Sequence, residues 1–238
     1  MAGRIGYYGG IVKDGLVLDL DAAKLDSYPR TGTIWNDIST NGNNGTLING
    51  PTFDYANGGS IIFDGSDDYV STTLNLGSNP LPAHTISVWF KTSVASGKKL
   101  IGIESTQTGT SSAHDRHLYV GTNGKVYYGV YDSTFRYISS TISVTGNTWV
   151  NAIGVSTGNN SIMLYMNGVI DTTGVGNGYS LYTTSYIKIG GFLPTTLWPN
   201  SVSGVFTGNI SQCQIYNRAL SSQEILQNYN ATKIRYGL

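Results

Sequence analysis

Glutamate is nearly absent from this 238-residue chain, which holds only Glu104 and Glu224. A hydrolase that breaks a glycosidic bond needs two carboxylates facing each other across a cleft. Glu224 closes a Ser-x-x-Glu capping box with Ser221, and Glu104 has no carboxylate close to it in sequence. Cysteine is also scarce. Cys213 stands alone, so the chain makes no internal disulfide and needs no oxidising compartment to fold. Charge is sparse at 12% of residues, with 14 basic against 14 acidic side chains. A neutral surface has no broad attraction for nucleic acid or an anionic membrane, and neither is expected as a partner. No apolar run reaches the length of a transmembrane helix. The first residues lack the basic segment and apolar core of a secretion leader, so none is expected. The triplets opening at Asn44, Asn159, Asn209 and Asn230 then read as turns rather than glycosylation sites.

What the chain has is glycine, 31 residues, and tyrosine, 17. Glycine supplies tight turns, and tyrosine favours strands and interfaces. Residues 1–15 are a glycine-rich arm with Tyr7 and Tyr8. Leu16–Leu20 reads as the first strand. The stretch 59–73 reads as apolar run, Asp-Gly turn, apolar run, and so as a hairpin about which the first sheet is organised. In Thr85–Lys91, Ile86, Val88 and Phe90 share one face, and Ser87, Trp89 and Lys91 the other. Further strands are expected at 100–103, 117–120, 126–131, 135–143, 149–155, 161–166, 169–170, 185–190 and 208–216. Asn123-Gly124, Asn159-Asn160 and Asn167-Gly168 supply turns between them. One short helix is expected from Ser221 to about Asn230, with Ile225, Leu226 and Tyr229 on one face. The pattern predicts an all-β, two-sheet antiparallel sandwich with one short C-terminal helix. It divides into an arm (1–15), one jelly-roll domain (16–230) and a tail (231–238).

Phe63–Val70, Ile86–Phe90, Leu164–Gly168, Ile187–Gly191 and Gly208–Ile225 together resemble the laminin-G-like, concanavalin A-like jelly roll, which includes the pentraxins. They occur in the family's order and cover roughly residues 15–230. The glucanases that share this fold carry two glutamates around an aspartate on one strand, and nothing here matches that pattern. A narrower resemblance lies near the ends, in Gly15–Ala23, Ser27–Pro29, Asn41–Thr46 and Asn228–Lys233, which look like laminin-G-like structural proteins of tailed bacteriophages. That likeness implies a virion component assembled in the cytoplasm of a bacterial host.

Metal chemistry finds little support in the residues. Asp64, Asp67 and Asp68 could be read as calcium ligands, but aspartates that cap a tight turn are the simpler reading. Asp115 matches one carboxylate of the pentraxin calcium site, whereas the loop 191–203 that would supply the others has no acidic residue. One carboxylate is too little charge for a hard divalent cation, so no metal or cofactor is expected. His114 and His117, with no cysteine near, read as a solvated loop.

Aromatic side chains are the remaining candidates for contact. Trp89, Tyr128, Tyr131 and Trp198, with Tyr7 and Tyr8 on the arm, could stack on sugar rings or pack against a protein neighbour. Ordinary packing of a sheet face is the competing reading for the strand residues. The expectation is a non-enzymatic structural component of a phage virion, a capsid decoration or accessory protein. Its partners would be other virion proteins or further copies of itself, with arm and tail contacting neighbouring subunits. The alternative is a carbohydrate-binding module on a tail fibre or adhesin that meets a cell-surface glycan.

Overall fold

A computed structural model describes residues 10–76, 82–95, 98–176, 185–191 and 198–238. Its strands are β1 (Leu16–Asp21), β2 (Ile34–Trp35), β3 (Gly45–Ile48), β4 (Thr52–Asp54), β5 (Ser60–Asp64), β6 (Tyr69–Asn75), β7 (Ala83–Lys91) and β8 (Lys98–Glu104). They continue with β9 (His114–Val120), β10 (Lys125–Tyr131), β11 (Phe135–Ser143), β12 (Val150–Thr157), β13 (Ile162–Met166), β14 (Val169–Gly174), β15 (Tyr186–Ile189) and β16 (Thr207–Tyr216). Helix α1 (Ser222–Thr232) runs into a 3-10 turn, Lys233–Tyr236.

Two antiparallel sheets stack face to face. The first runs β14-β13-β12-β7-β16-β5-β4, with β1 beside the C-terminal half of β16; the second runs β11-β10-β9-β8-β15-β6-β3-β2. Alternation decides which side chains meet between them. Ile86, Val88 and Phe90 of β7 face Leu118 and Val120 of β9 and Ile187 and Ile189 of β15 across one continuous core. The inward face expected of β7 is the one observed, whereas β2, β3 and β4 form where no strand was expected.

The stretch 59–73 is not a hairpin. β5 pairs with β4 and β16 in the first sheet, whereas β6 pairs with β3 and β15 in the second. The Asp-Gly turn is a corner between layers. Side-chain bonds close it instead of a ladder: Ser66 N donates to Asp64 Oδ1 (2.7 Å) and Asp64 N to Asp68 Oδ2 (3.0 Å). Gly65 supplies the positive φ of 82° that the corner needs. Phe63 and Val70 then enter the same core from opposite sheets. The predicted turn at Asn167-Gly168 does join a hairpin, with φ of 52° and 79° at its two central residues.

The capping box forms as expected. Ser221 Oγ accepts from Glu224 N, and the Glu224 carboxylate accepts from Ser221 N at 2.8 Å. Arg218 grips the same carboxylate and, with it, holds the Glu224 pKa down at about 2. Residues 10–15 also dock on their own domain: Val12 N donates to Asn228 Oδ1 (2.8 Å), and Tyr216 Oη donates to Val12 O (3.0 Å).

Candidate functional site

The aromatic residues singled out by the sequence do not converge. Trp89 points outward from β7 as its alternation requires, yet only 2% of it is exposed. The C-terminal segment covers it. Its ring stacks on Tyr236 (centroids 4.1 Å) and Tyr229 (5.6 Å), and its Nε1 donates to Thr232 Oγ1 (3.0 Å). Arg235 pins that segment with a two-point bond to Asp21. The tail 231–238 expected to reach a neighbouring subunit thus packs on its own sheet, because Trp89 offers Tyr236 a large apolar face.

Tyr128 points inward. It crosses the core from β10, lies against Gly154 of β12, and its hydroxyl meets His84 Nε2 at 2.6 Å. Tyr131 is half-buried at the end of β10, edge-on to Phe135 at 5.1 Å. Trp198, the expected exposed contact, is 3% exposed. It sits on the outer face of the second sheet over Gly129, against His117 (4.3 Å) and Phe135 (4.8 Å). Tyr7 and Tyr8 lie outside the described residues. Sugar stacking on Trp89, Tyr128 or Trp198 would require each to leave its present packing.

The outer face of the second sheet holds a feature that the sequence reading missed. Glu104, wholly buried, bridges two buried lysines: Lys99 Nζ pairs with Oε1 and Lys188 Nζ with Oε2 (2.9 Å). Lys99 also donates to His114 Nδ1 (2.9 Å), while His114 Nε2 meets Ser111 O (2.9 Å). Lys188 extends to Gly109 O (2.6 Å) and Ser111 Oγ (3.3 Å). Burial alone would raise the Glu104 pKa; the fields of Lys99 and then Lys188 override it and hold it below the usual range. Burial pulls His114 down to about 4.

His114 and His117 are therefore strand residues of a closed face rather than a solvated loop. His117 is completely buried, and neither ring nitrogen has a hydrogen-bond partner among the described residues. Arg116 explains how polar neighbours come to share this face: its φ of 45° marks a bulge that breaks the alternation of β9. Asp115 is turned to Arg116, with Nε to Oδ2 at 2.7 Å, and to Tyr131 N at 2.7 Å. It is engaged as a structural carboxylate.

One open cleft adjoins this cluster. It encloses about 240 Å³ and is lined by the β3–β4 turn (Ile48, Asn49), the β5–β6 corner (Ser66, Asp67, Tyr69), Gly109 and Thr110, Lys188 and Val205. Asp64, Asp67 and Asp68 bring one carboxylate oxygen each to within 4.8 Å of one another beside it. Asp64 and Asp68 use oxygens to bind turn amides, which is the turn chemistry expected of them.

Comparison with known proteins adds the following. No curated protein matches the sequence. Among solved structures, domain 4 of AbnA, a GH43 extracellular arabinanase from Geobacillus stearothermophilus, in complex with arabinotriose, superposes with a TM-score of 0.66 at 16% identity, over 92% of this chain and 100% of that one. Botulinum neurotoxin type C, whose cell entry is dependent upon interaction with two ganglioside molecules, gives 0.68 at 14% identity, over 93% and 52%. Trypanosoma rangeli sialidase in complex with the inhibitor DANA gives 0.64 at 16%, over 93% and 34%. The chain thus spans all of the arabinanase domain, about half of the toxin chain and a third of the sialidase. At such identities the likeness is one of fold. A family model described as the concanavalin A-like lectin/glucanases superfamily matches residues 64–226, and the chain belongs to that superfamily.

Proposed function

We propose that this chain is a non-enzymatic structural component of a phage virion, a capsid decoration or accessory protein that holds neighbours and transforms no substrate. The state of the two glutamates carries the non-catalytic part. Glu104 is buried and neutralised between two lysines, and Glu224 closes a helix cap, so neither stands as a free acid over a cleft. The virion part rests on the likeness of the terminal segments to phage structural proteins. A low-charge surface with exposed apolar side chains on the edge strands supports it: Tyr137 and Ile142 on β11, Val169 and Ile170 on β14.

Contact with neighbours is proposed for residues 1–15 and the tail 231–238; since residues 10–15 and the tail also pack on the domain, residues 1–9 are the part whose removal tests that contact apart from the fold. Deleting them is expected to leave the melting temperature of the isolated domain unchanged and to remove the protein from assembled particles, as read by quantitative gel of purified virions. Equal incorporation of the truncated chain overturns the arm's role.

The cleft favours a second reading, a carbohydrate-binding module on a tail fibre or adhesin. Its mixed polar and apolar lining suits a sugar, and the arabinanase domain, which this chain matches over its whole length, is described in complex with arabinotriose, a neutral sugar.

A further inference from the structure

We infer that the cleft between the β3–β4 turn, the β5–β6 corner and the 105–111 loop is a site for one neutral sugar unit, and that it discriminates against acidic sugars. This deepens the glycan reading and rests on it.

Size comes first. At about 240 Å³ the cleft falls below the ~300–1,000 Å³ of drug-sized pockets, which suits a single ring. Its lining is mixed as a sugar requires. Ile48 and Val205 give an apolar wall for ring C–H groups, and Ser66, Asp67 and Thr110 present polar side chains at an exposed rim.

The walls are held in place before any ligand arrives. Asn49 Nδ2 donates to Asp67 O (3.0 Å), tying the first turn to the corner. Gly109 N donates to Tyr69 Oη (3.0 Å), and Ser71 Oγ donates to Gln107 O (2.7 Å), tying the loop to β6. Lys188 closes the floor, its ammonium 5.5 Å from the centre of the Tyr69 ring. Three elements far apart in sequence thus form one pre-organised wall, which lowers the ordering cost of binding.

Charge sets the selectivity. An ammonium has three protons; Lys188 donates to Gly109 O, Ser111 Oγ and, at 3.5 Å, Thr106 Oγ1, and its charge is paired with the Glu104 carboxylate. The lysine is a structural floor with nothing left to donate to a ligand. Lys99 does not line the cleft. Asp67 is different: its side chain is exposed and makes no hydrogen bond or ion pair among the described residues. A free carboxylate accepts from two adjacent hydroxyls in strong charge-assisted bonds and repels a ligand carboxylate.

The test uses the full chain and saturation-transfer NMR in EDTA, with methyl glycosides of glucose, galactose, mannose and N-acetylglucosamine, and methyl glucuronide. At least one neutral glycoside is expected to bind, and the glucuronide about tenfold or more weaker than the glucoside. Asp67→Ala and the cleft-filling Thr110→Trp, both at exposed positions, are expected to abolish transfer while the melting curve stays put. Binding that survives both substitutions overturns this site and leaves the glycan reading standing. Silence from the neutral glycosides overturns this site, and silence extended over a broad array of neutral and acidic glycans overturns both. A glucuronide that binds as well as its neutral counterpart overturns the charge argument.

Discussion

Replacing Glu104 by glutamine separates a structural carboxylate from a catalytic one. The side chain keeps its shape and loses its charge, which leaves Lys99 and Lys188 buried within reach of the same point with no anion between them. Breaking a buried ion pair from one side costs about 3–5 kcal/mol, because the surviving charge stays desolvated. Two surviving ammoniums place this site at the upper end of that range. For a domain of 150–250 residues each kcal/mol moves the melting temperature by ~2–4 °C, so at the upper end a drop of roughly 10–20 °C is expected. The assay is thermal unfolding followed by circular dichroism, with urea melts to show a lower midpoint at unchanged slope. A catalytic glutamate behaves in the opposite way, since relieving a site strained for function tends to raise stability. A melting temperature unchanged or higher in Glu104→Gln refutes the structural assignment. The companion triple variant, Glu104→Leu with Lys99→Met and Lys188→Met, removes all three charges at once. It is expected to regain most of the lost stability, because an apolar replacement of a buried ion cluster is often neutral or better.

Acid sensitivity follows from the histidines. His114 has a folded pKa of about 4 against 6.5 ordinarily, so below pH 6.5 the unfolded chain binds a proton that the folded one refuses. Its stabilising share is complete above pH 6.5 and is lost as the pH falls toward 4, in all about 3 kcal/mol. His117, pushed well below 6.5 by burial, adds in the same direction. Urea midpoints measured from pH 7 to pH 4.5 should fall steadily, and NMR should show His114 titrating near pH 4 and His117 well below the usual imidazole range; a flat profile contradicts the burial of these rings. Gly129 lies under the Trp198 ring, where a Cβ would overlap it. Gly129→Ala is expected to cost ~1–3 kcal/mol by overpacking and to shift tryptophan emission to the red, and unshifted emission would show that Trp198 packs elsewhere.

The legible part of this molecule was the part that repeats along the chain. Alternation in Thr85–Lys91 placed Ile86, Val88 and Phe90 in the core and Trp89 outside it, as the structure has them. The capping box at Ser221 and Glu224 is likewise a local signal, carried by side chains three residues apart. The illegible part depends on what a neighbour from far along the chain does. An Asp-Gly turn between two apolar runs is the same locally whether the runs pair in one sheet or part into two, and only β16 and β15 decide it. His114 and His117 look solvent-loving beside Asp115 and Arg116. The bulge at Arg116 turns them to one face, where Trp198 covers His117 and Lys99 and Glu104 enclose His114, and none of this is visible in their own stretch. Trp89 looks available in its own stretch, because its partner Tyr236 arrives from the far end of the chain.

The buried cluster and the cleft share Lys188, and this ties the two lines of prediction together. Glu104 holds the ammonium that floors the cleft and faces the Tyr69 ring. Loss of the Glu104 charge leaves the buried Lys188 ammonium uncompensated and held only by its neutral acceptors, Gly109 O and Ser111 Oγ among them, beneath the rim that carries Asp67. A Glu104→Gln protein that failed to bind a neutral sugar would be reporting a collapsed floor, and one that newly accepted an acidic sugar would be reporting an uncompensated lysine. Neither outcome would identify Glu104 as an acid or base acting on that sugar. The discriminating comparison is with Asp67→Ala, which removes the group facing the ligand and leaves the Glu104–Lys188 pair intact. If Asp67→Ala eliminates binding at full stability while Glu104→Gln weakens binding only in proportion to its lost stability, the carboxylate at the rim touches the ligand and the buried one holds the wall.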